Sequence, residues 1–168
     1  MRLRLLIGVA ALALSSCNVQ KSASNDAPRQ GATGERLTQA EAEKIVAAAE
    51  GGWSSDRVET VMANYADGAV VFDTTTLPPT TDRNLQTRGN ASFLTMKPAD
   101  FRVDPRHVQL LDNDTIVASG VLSFTATVGM ARPVLKTRYT QVYQRQPDGA
   151  FKIVHEHMSS PPPGTGTP

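Results

Sequence analysis

The sequence predicts an α+β domain in which an antiparallel sheet follows a group of N-terminal helices. Three observations carry that expectation. Thr38 and Glu41 form a helix-opening pair just before an alanine-rich run. Thr115 to Val128 alternates apolar and polar side chains, which is the period of a half-buried strand. Val134 to Arg145 and Phe151 to Ser159 are joined by Gln146-Pro147-Asp148-Gly149, residues that favour a turn. Helices gathered ahead of hairpin-linked strands give a sheet with helices on one face.

The first helix opens at the Thr38 and Glu41 box and runs to Glu50, where Gly51-Gly52 ends it. A second helix is expected from Ser55 or Asp56. Its apolar residues Val58, Val61, Met62 and Tyr65 fall at i, i+3, i+4 and i+7 on one face. Trp53 stands just ahead of it and packs back. Gly68 interrupts the period, and Ala69-Val70-Val71-Phe72 reads as a short buried strand. Thr74 to Arg88, with two prolines and a threonine run, reads as a long loop. Asn90 is expected to cap a short third helix carrying Ala91, Phe93 and Leu94 and ending before Pro98.

From Phe101 onward the pattern turns to strands. Ile116, Ala118, Gly120, Leu122, Phe124, Ala126 and Val128 form the core face of the longest one. Thr115, Ser119, Ser123, Thr125 and Thr127 form the wetter face, joined by Val117 and Val121. Asp112-Asn113-Asp114 turns into this strand and Gly129 to Pro133 leads out of it.

The N-terminus has a different character. Arg2 and Arg4 precede the apolar stretch Leu5 to Leu14, and Ser15-Ser16 supplies small residues ahead of Cys17. These are the parts of a secretory signal, too short to span a bilayer. Leu14-Ser15-Ser16-Cys17 resembles the lipobox of bacterial lipoproteins, and that resemblance implies acylation of Cys17 as the new N-terminus. Acylation also explains why the chain has a single cysteine, which can form no internal disulfide.

The expected domains are therefore a signal peptide (1–16), a lipidated flexible tether (17–36), one folded domain (37–160) and a disordered tail (161–168). The tether and the tail are too polar and too rich in Ser, Gly and Pro to bury a core. Loss of Arg2 and Arg4 leaves fifteen basic against sixteen acidic residues, a net charge of −1. That balance gives no basic excess for nucleic acid. The expected location is the cell envelope: the lipid in the inner or outer membrane, the domain in the periplasm or outside.

Two segments carry a family resemblance. Arg138-Tyr139-Thr140-Gln141-Val142-Tyr143 leads through Asp148-Gly149 to Phe151-Lys152-Ile153-Val154-His155-Glu156-His157-Met158-Ser159-Ser160-Pro161. Trp53, Asp56 and Tyr65-Ala66-Asp67-Gly68-Ala69-Val70-Val71-Phe72 precede it, with Gly89 between. Together these resemble the nuclear transport factor 2-like superfamily in its SnoaL-like branch. A similar hairpin occurs in the association domain of calcium/calmodulin-dependent protein kinase II. Phe151 stands where the family has tryptophan, and Gly68 where it has a second aspartate. The resemblance implies a curved antiparallel sheet wrapped on the helices, a cone-shaped cavity and a homodimer. Members use the cavity for isomerase, dehydratase, cyclase or hydrolase chemistry, or for binding alone.

The candidate chemistry follows from residue types. Tyr65 and Asp73 are a phenol and a carboxylate that could act as donor and base, and His155 and His157 are imidazoles that could serve as general bases, which makes these four the catalytic candidates. His155 and His157 point the same way from one strand and are expected to wall or hydrogen-bond the cavity rather than hold a metal. Arg138 suits a carboxylate-bearing ligand if its face lines the cavity. Trp53, Tyr65, Leu122, Phe124, Arg138, His155 and His157 are the candidate ligand contacts. Neither metal nor cofactor is expected. A small amphipathic molecule is the leading ligand, with cavity catalysis and dimeric protein interaction as alternatives. Cys17→Ala should move the protein from membrane to soluble fraction. Retention on salt-washed vesicles would contradict lipidation, since acyl chains anchor independently of salt.

Overall fold

The structure is a computed structural model that describes residues 36–74 and 78–162. The expected signal peptide, Cys17, nearly all of the tether and residues 163–168 lie outside the described residues. Among the described residues no helix is long and apolar enough to cross a membrane.

Helix α1 spans Gln39–Gly51. Thr38 caps it: the Thr38 N–H donates to Glu41 Oε2 at 2.8 Å, and the Glu41 N–H donates to Thr38 Oγ1 at 3.3 Å. A 3-10 turn follows at Gly52–Ser54, then α2 at Val58–Met62. The second helix starts later than Ser55 or Asp56 because the Ser55 hydroxyl accepts the Arg57 N–H at 3.1 Å and turns the chain there. It also ends earlier, so Tyr65 opens strand β1, Tyr65–Phe72, instead of closing the helical stripe.

Helix α3 occupies Arg83–Thr95 and corrects the sequence expectation of a loop to Arg88 with a cap at Asn90. Asp82 is the cap, its Oδ1 accepting from the N–H groups of Asn84 at 2.8 Å and Leu85 at 3.3 Å. Asn90 lies inside the helix and donates back to the Gln86 carbonyl. Gln86 is buried and ties α3 to β1 by donating to the Ala69 carbonyl at 2.7 Å.

Strands β2 (Ala99–Leu110), β3 (Thr115–Thr125), β4 (Val134–Arg145) and β5 (Phe151–Ser159) complete one five-stranded sheet in the order β1-β5-β4-β3-β2. The last four strands pair antiparallel, as expected, and β1 joins β5 in parallel. The long excursion through α3 and three strands gives the chain room for that crossover. The fold is thus α+β with a curved, unclosed sheet and its helices at the N-terminal end of the chain.

The alternation along β3 holds. Ile116, Ala118, Leu122 and Phe124 are buried, as is Ala126 beyond the strand end, in one cluster with Val46, Val61 and Met62. Val128 is exposed and belongs to the turn. The inner face of β3 is therefore largely covered, leaving a local opening at Leu122. Gly120 is the exception to this face in kind: a Cβ there would sit 2.6 Å from the Pro105 carbonyl and 3.0 Å from the Tyr139 ring. Gly120→Ala should destabilise the domain by about 1–3 kcal/mol in denaturant melts, because the closest obstacle is backbone. An unchanged midpoint would show that β2 yields freely at its irregularity between Val103 and Arg106.

Candidate functional site in the concave face

Two carboxylates lie inside the fold. The first is Glu50, near the end of α1 and 8 % exposed. Its position follows from helical spacing: Ala42, Val46 and Glu50 are four residues apart on the buried stripe. Tyr139 donates its hydroxyl to Glu50 Oε1 at 2.5 Å, and Arg106 donates from Nη1 to Oε2 at 2.8 Å. Trp53 packs edge-on against Tyr139 with ring centroids 5.9 Å apart. Burial and the neighbouring carboxylate raise the Tyr139 phenol far above its ordinary value, so it stays protonated and donates.

The second is Glu156 on β5, which has no cation in contact among the described residues. Tyr65 donates to both of its oxygens at 2.9 Å, and Gln141 Nε2 donates to Oε2 at 2.5 Å. Tyr143 in turn donates to Gln141 Oε1 at 2.5 Å, which holds the amide in the orientation Glu156 needs. Desolvation pushes the Glu156 carboxyl up to about 7, against the opposing pull of its two donors, and the Asp73 carboxylate adds to the rise. Neutral donors compensate a buried charge less fully than a guanidinium does, which separates Glu156 from Glu50 in kind.

The residues singled out from sequence fall in three places. Trp53, Tyr65, Leu122 and Phe124 are on the inner side, with Phe124 stacked on Phe101 at 5.6 Å. Asp73 follows β1, half-buried, close enough for its charge to act on Glu156. His155, His157 and Arg138 lie on the opposite, outer face. Because Glu156 points inward, strand alternation turns its two neighbours outward; His157 rests against Phe72 at 5.5 Å. Arg138 is exposed and in register with Ser159. Tyr65, Asp73 and both histidines are therefore not brought together around one cavity: Tyr65, Gln141, Tyr143 and Glu156 fill that part of the interior. Among the described residues no group of three or more His, Cys, Asp or Glu side chains could hold a metal ion.

An opening exists at the other end of the concave face. A groove of about 250 Å³ lies between the end of α1 and β2. Ala47, Phe101, Val103 and Leu122 provide apolar lining, and Glu50, Ser54, Arg102 and Arg106 provide polar lining. A larger depression of about 400 Å³ between α2 and α3 is lined by Asp56, Arg57, Val58, Glu59 and Leu94 among others. No residue lining it is buried, whereas the groove reaches Glu50 and Leu122 in the interior. The groove is the better binding site on that ground.

The SnoaL-like domain model matches residues 43–163, which takes in most of α1, the other helices, the whole sheet and both buried carboxylates. The chain belongs to the SnoaL-like domain family. No curated protein matches it. Among solved structures it is similar to a Xanthomonas campestris protein described as a calcium/calmodulin-dependent protein kinase II association domain. That pair shares 27 % identity over 76 % of this chain and 91 % of the other, with a TM-score of 0.67. A Parabacteroides distasonis protein described as a ketosteroid isomerase shares 19 % identity over 73 % and 89 % of the two chains, with a TM-score of 0.61. A nuclear transport factor 2-like protein of unknown function from Pseudomonas putida KT2440 shares 21 % over 76 % and 90 %, also at 0.61. The last two establish the fold alone.

Within this SnoaL-like domain Glu156 makes stability depend on pH. A carboxyl raised in the folded state holds its proton more tightly there than in the unfolded chain. The resulting stabilisation is complete below about pH 4.5 and is lost as pH rises through about 7. Glu156→Gln removes that dependence. The variant should gain on the wild type between those values, reaching a relative advantage on the order of 3 kcal/mol by pH 8 in urea melts. Parallel wild-type and variant curves would contradict the raised carboxyl.

Proposed function

We propose that this chain is a membrane-anchored, extracytoplasmic SnoaL-like domain that binds a small amphipathic molecule in the groove between α1 and β2. The observation that supports it is the joining, in one opening, of apolar inner-face residues with a polar pair set into the wall. Phe101, Val103 and Leu122 offer surface to a hydrocarbon body, and Arg106 and Ser54 offer hydrogen bonds to a polar end. Anchoring rests on the Leu14-Ser15-Ser16-Cys17 sequence and the polar tether behind it. Pairing of two copies through the sheet is part of the same proposal and leaves the groove, on the helix side, open.

A second reading is favoured by Glu156. A buried carboxyl held near 7 exchanges its proton at neutral pH, as a general acid or base requires. The similar Parabacteroides distasonis structure bears the name of an isomerase. Tyr65 and Gln141 occupy both oxygens of Glu156, so a substrate must displace one of them. This reading requires a pH–rate limb near 7 that Glu156→Gln abolishes.

Leu122→Trp tests the binding reading. The added ring fills the groove from its floor and should remove a ligand that co-purifies with the wild type in native mass spectra. Retention of the same adduct by the variant would move the site elsewhere.

A further inference from the structure

Resting on the groove as the binding site, we propose that its ligand is a small amphipathic carboxylate, held by the free edge of Arg106. Three features of the groove lead there. Arg106 gives one N–H to Glu50, and its remaining N–H groups have no partner among the described residues. Its side chain is 34 % exposed, so that free edge reaches solvent while the Glu50 bond fixes the guanidinium in place. A guanidinium already oriented by one carboxylate loses little freedom when it takes a second in its planar fork.

Donor chemistry agrees with this assignment. Glu50 takes one edge of Arg106, while Arg102, in register with Ser123 beside the inward Leu122, turns its side chain to the other face of β2. Glu43 lies further back on α1, where Gln39 donates to it; it is not part of the lining, though its charge also acts on Arg106. A carboxylate would accept from the free donors of Arg106, whereas an amine would meet a guanidinium and has no acceptor to offer it. Tyr139 is unable to compete for the ligand because Glu50 already takes its proton donor.

Size sets the rest of the molecule. The volume of about 250 Å³ falls below the range of about 300–1,000 Å³ that holds drug-sized ligands. A short aliphatic or single-ring acid fits; a steroid or a long acyl chain does not. Phe101, Val103 and Leu122 would cover its apolar body. The arginine expected from sequence to meet a carboxylate was Arg138, and the groove gives that role to Arg106.

The test is calorimetric titration of the full chain, as isolated, with hexanoate, hexanamide and hexylamine. Hexanoate should bind about tenfold more tightly than hexanamide, and hexylamine should not bind. Arg106→Lys keeps a charge for Glu50 but loses the fork, and should bring hexanoate to the level of hexanamide. Equal binding of acid and amide to the wild type would overturn the carboxylate and leave the groove as a site. Binding of none of the three would overturn the groove itself, as would hexanoate binding unaffected by Leu122→Trp.

Discussion

The inward-pointing carboxyl of Glu156 is the constraint around which this domain is arranged. An ionisable group in an apolar interior needs partners, and here they come from two other strands. Tyr65 reaches it from β1, Gln141 from β4, and Tyr143 fixes Gln141 from behind. The network joins the parallel edge of the sheet to its antiparallel centre. Because β5 alternates, its inward Glu156 also turns His155 and His157 to the outer face. One set of hydrogen bonds thus fills the interior at one end and removes the histidines from it.

The other end is held differently. Glu50 receives both a phenol and a guanidinium, and the guanidinium comes from β2, the edge strand farthest from β1. The pair ties α1 to that edge, and the glycine at 120 lets β2 come close enough for Arg106 to reach. A buried carboxylate paired with a partly exposed guanidinium has less desolvation left uncompensated than Glu156 has. The contrast assigns two kinds of work to two similar groups. Glu156 is enclosed and bears on stability and proton binding. Glu50 orients an arginine that faces an opening.

Much of the fold was legible in the sequence, and the reasons are local. The Thr38 and Glu41 box, the alternation from Ile116 to Ala126 and the turn at Asp148-Gly149 are short-range signals that tertiary contacts reinforced. Helix α3 was hidden because its stripe is weakly apolar and its cap, Asp82, follows a proline and threonine run that reads as loop. Of the site, Leu122 was found because it lies on the inner face, and Tyr65 because a phenol on an apolar stripe invites a role. Glu50, Arg106 and Gln141 were missed. Arg106 is exposed and follows a register shift in β2 that no local pattern marks, whereas Glu50 and Gln141 each lie on a stripe that faces the core: Glu50 after Ala42 and Val46, Gln141 between Tyr139 and Tyr143. A polar residue in phase with buried neighbours was the available signal. The facing of His155 and His157 was beyond sequence because the irregularity between Val142 and Tyr143 of β4 and their β5 partners sets the register there.

Carbon-13 NMR of the Glu156 carboxyl across a pH titration tests the central constraint most directly. The account predicts a midpoint near 7, with the Tyr65 hydroxyl proton shifting over the same range as it loses a charged acceptor. A midpoint in the ordinary glutamate range near 4.5 would contradict it, and would mean that water or a cation reaches Glu156 in solution.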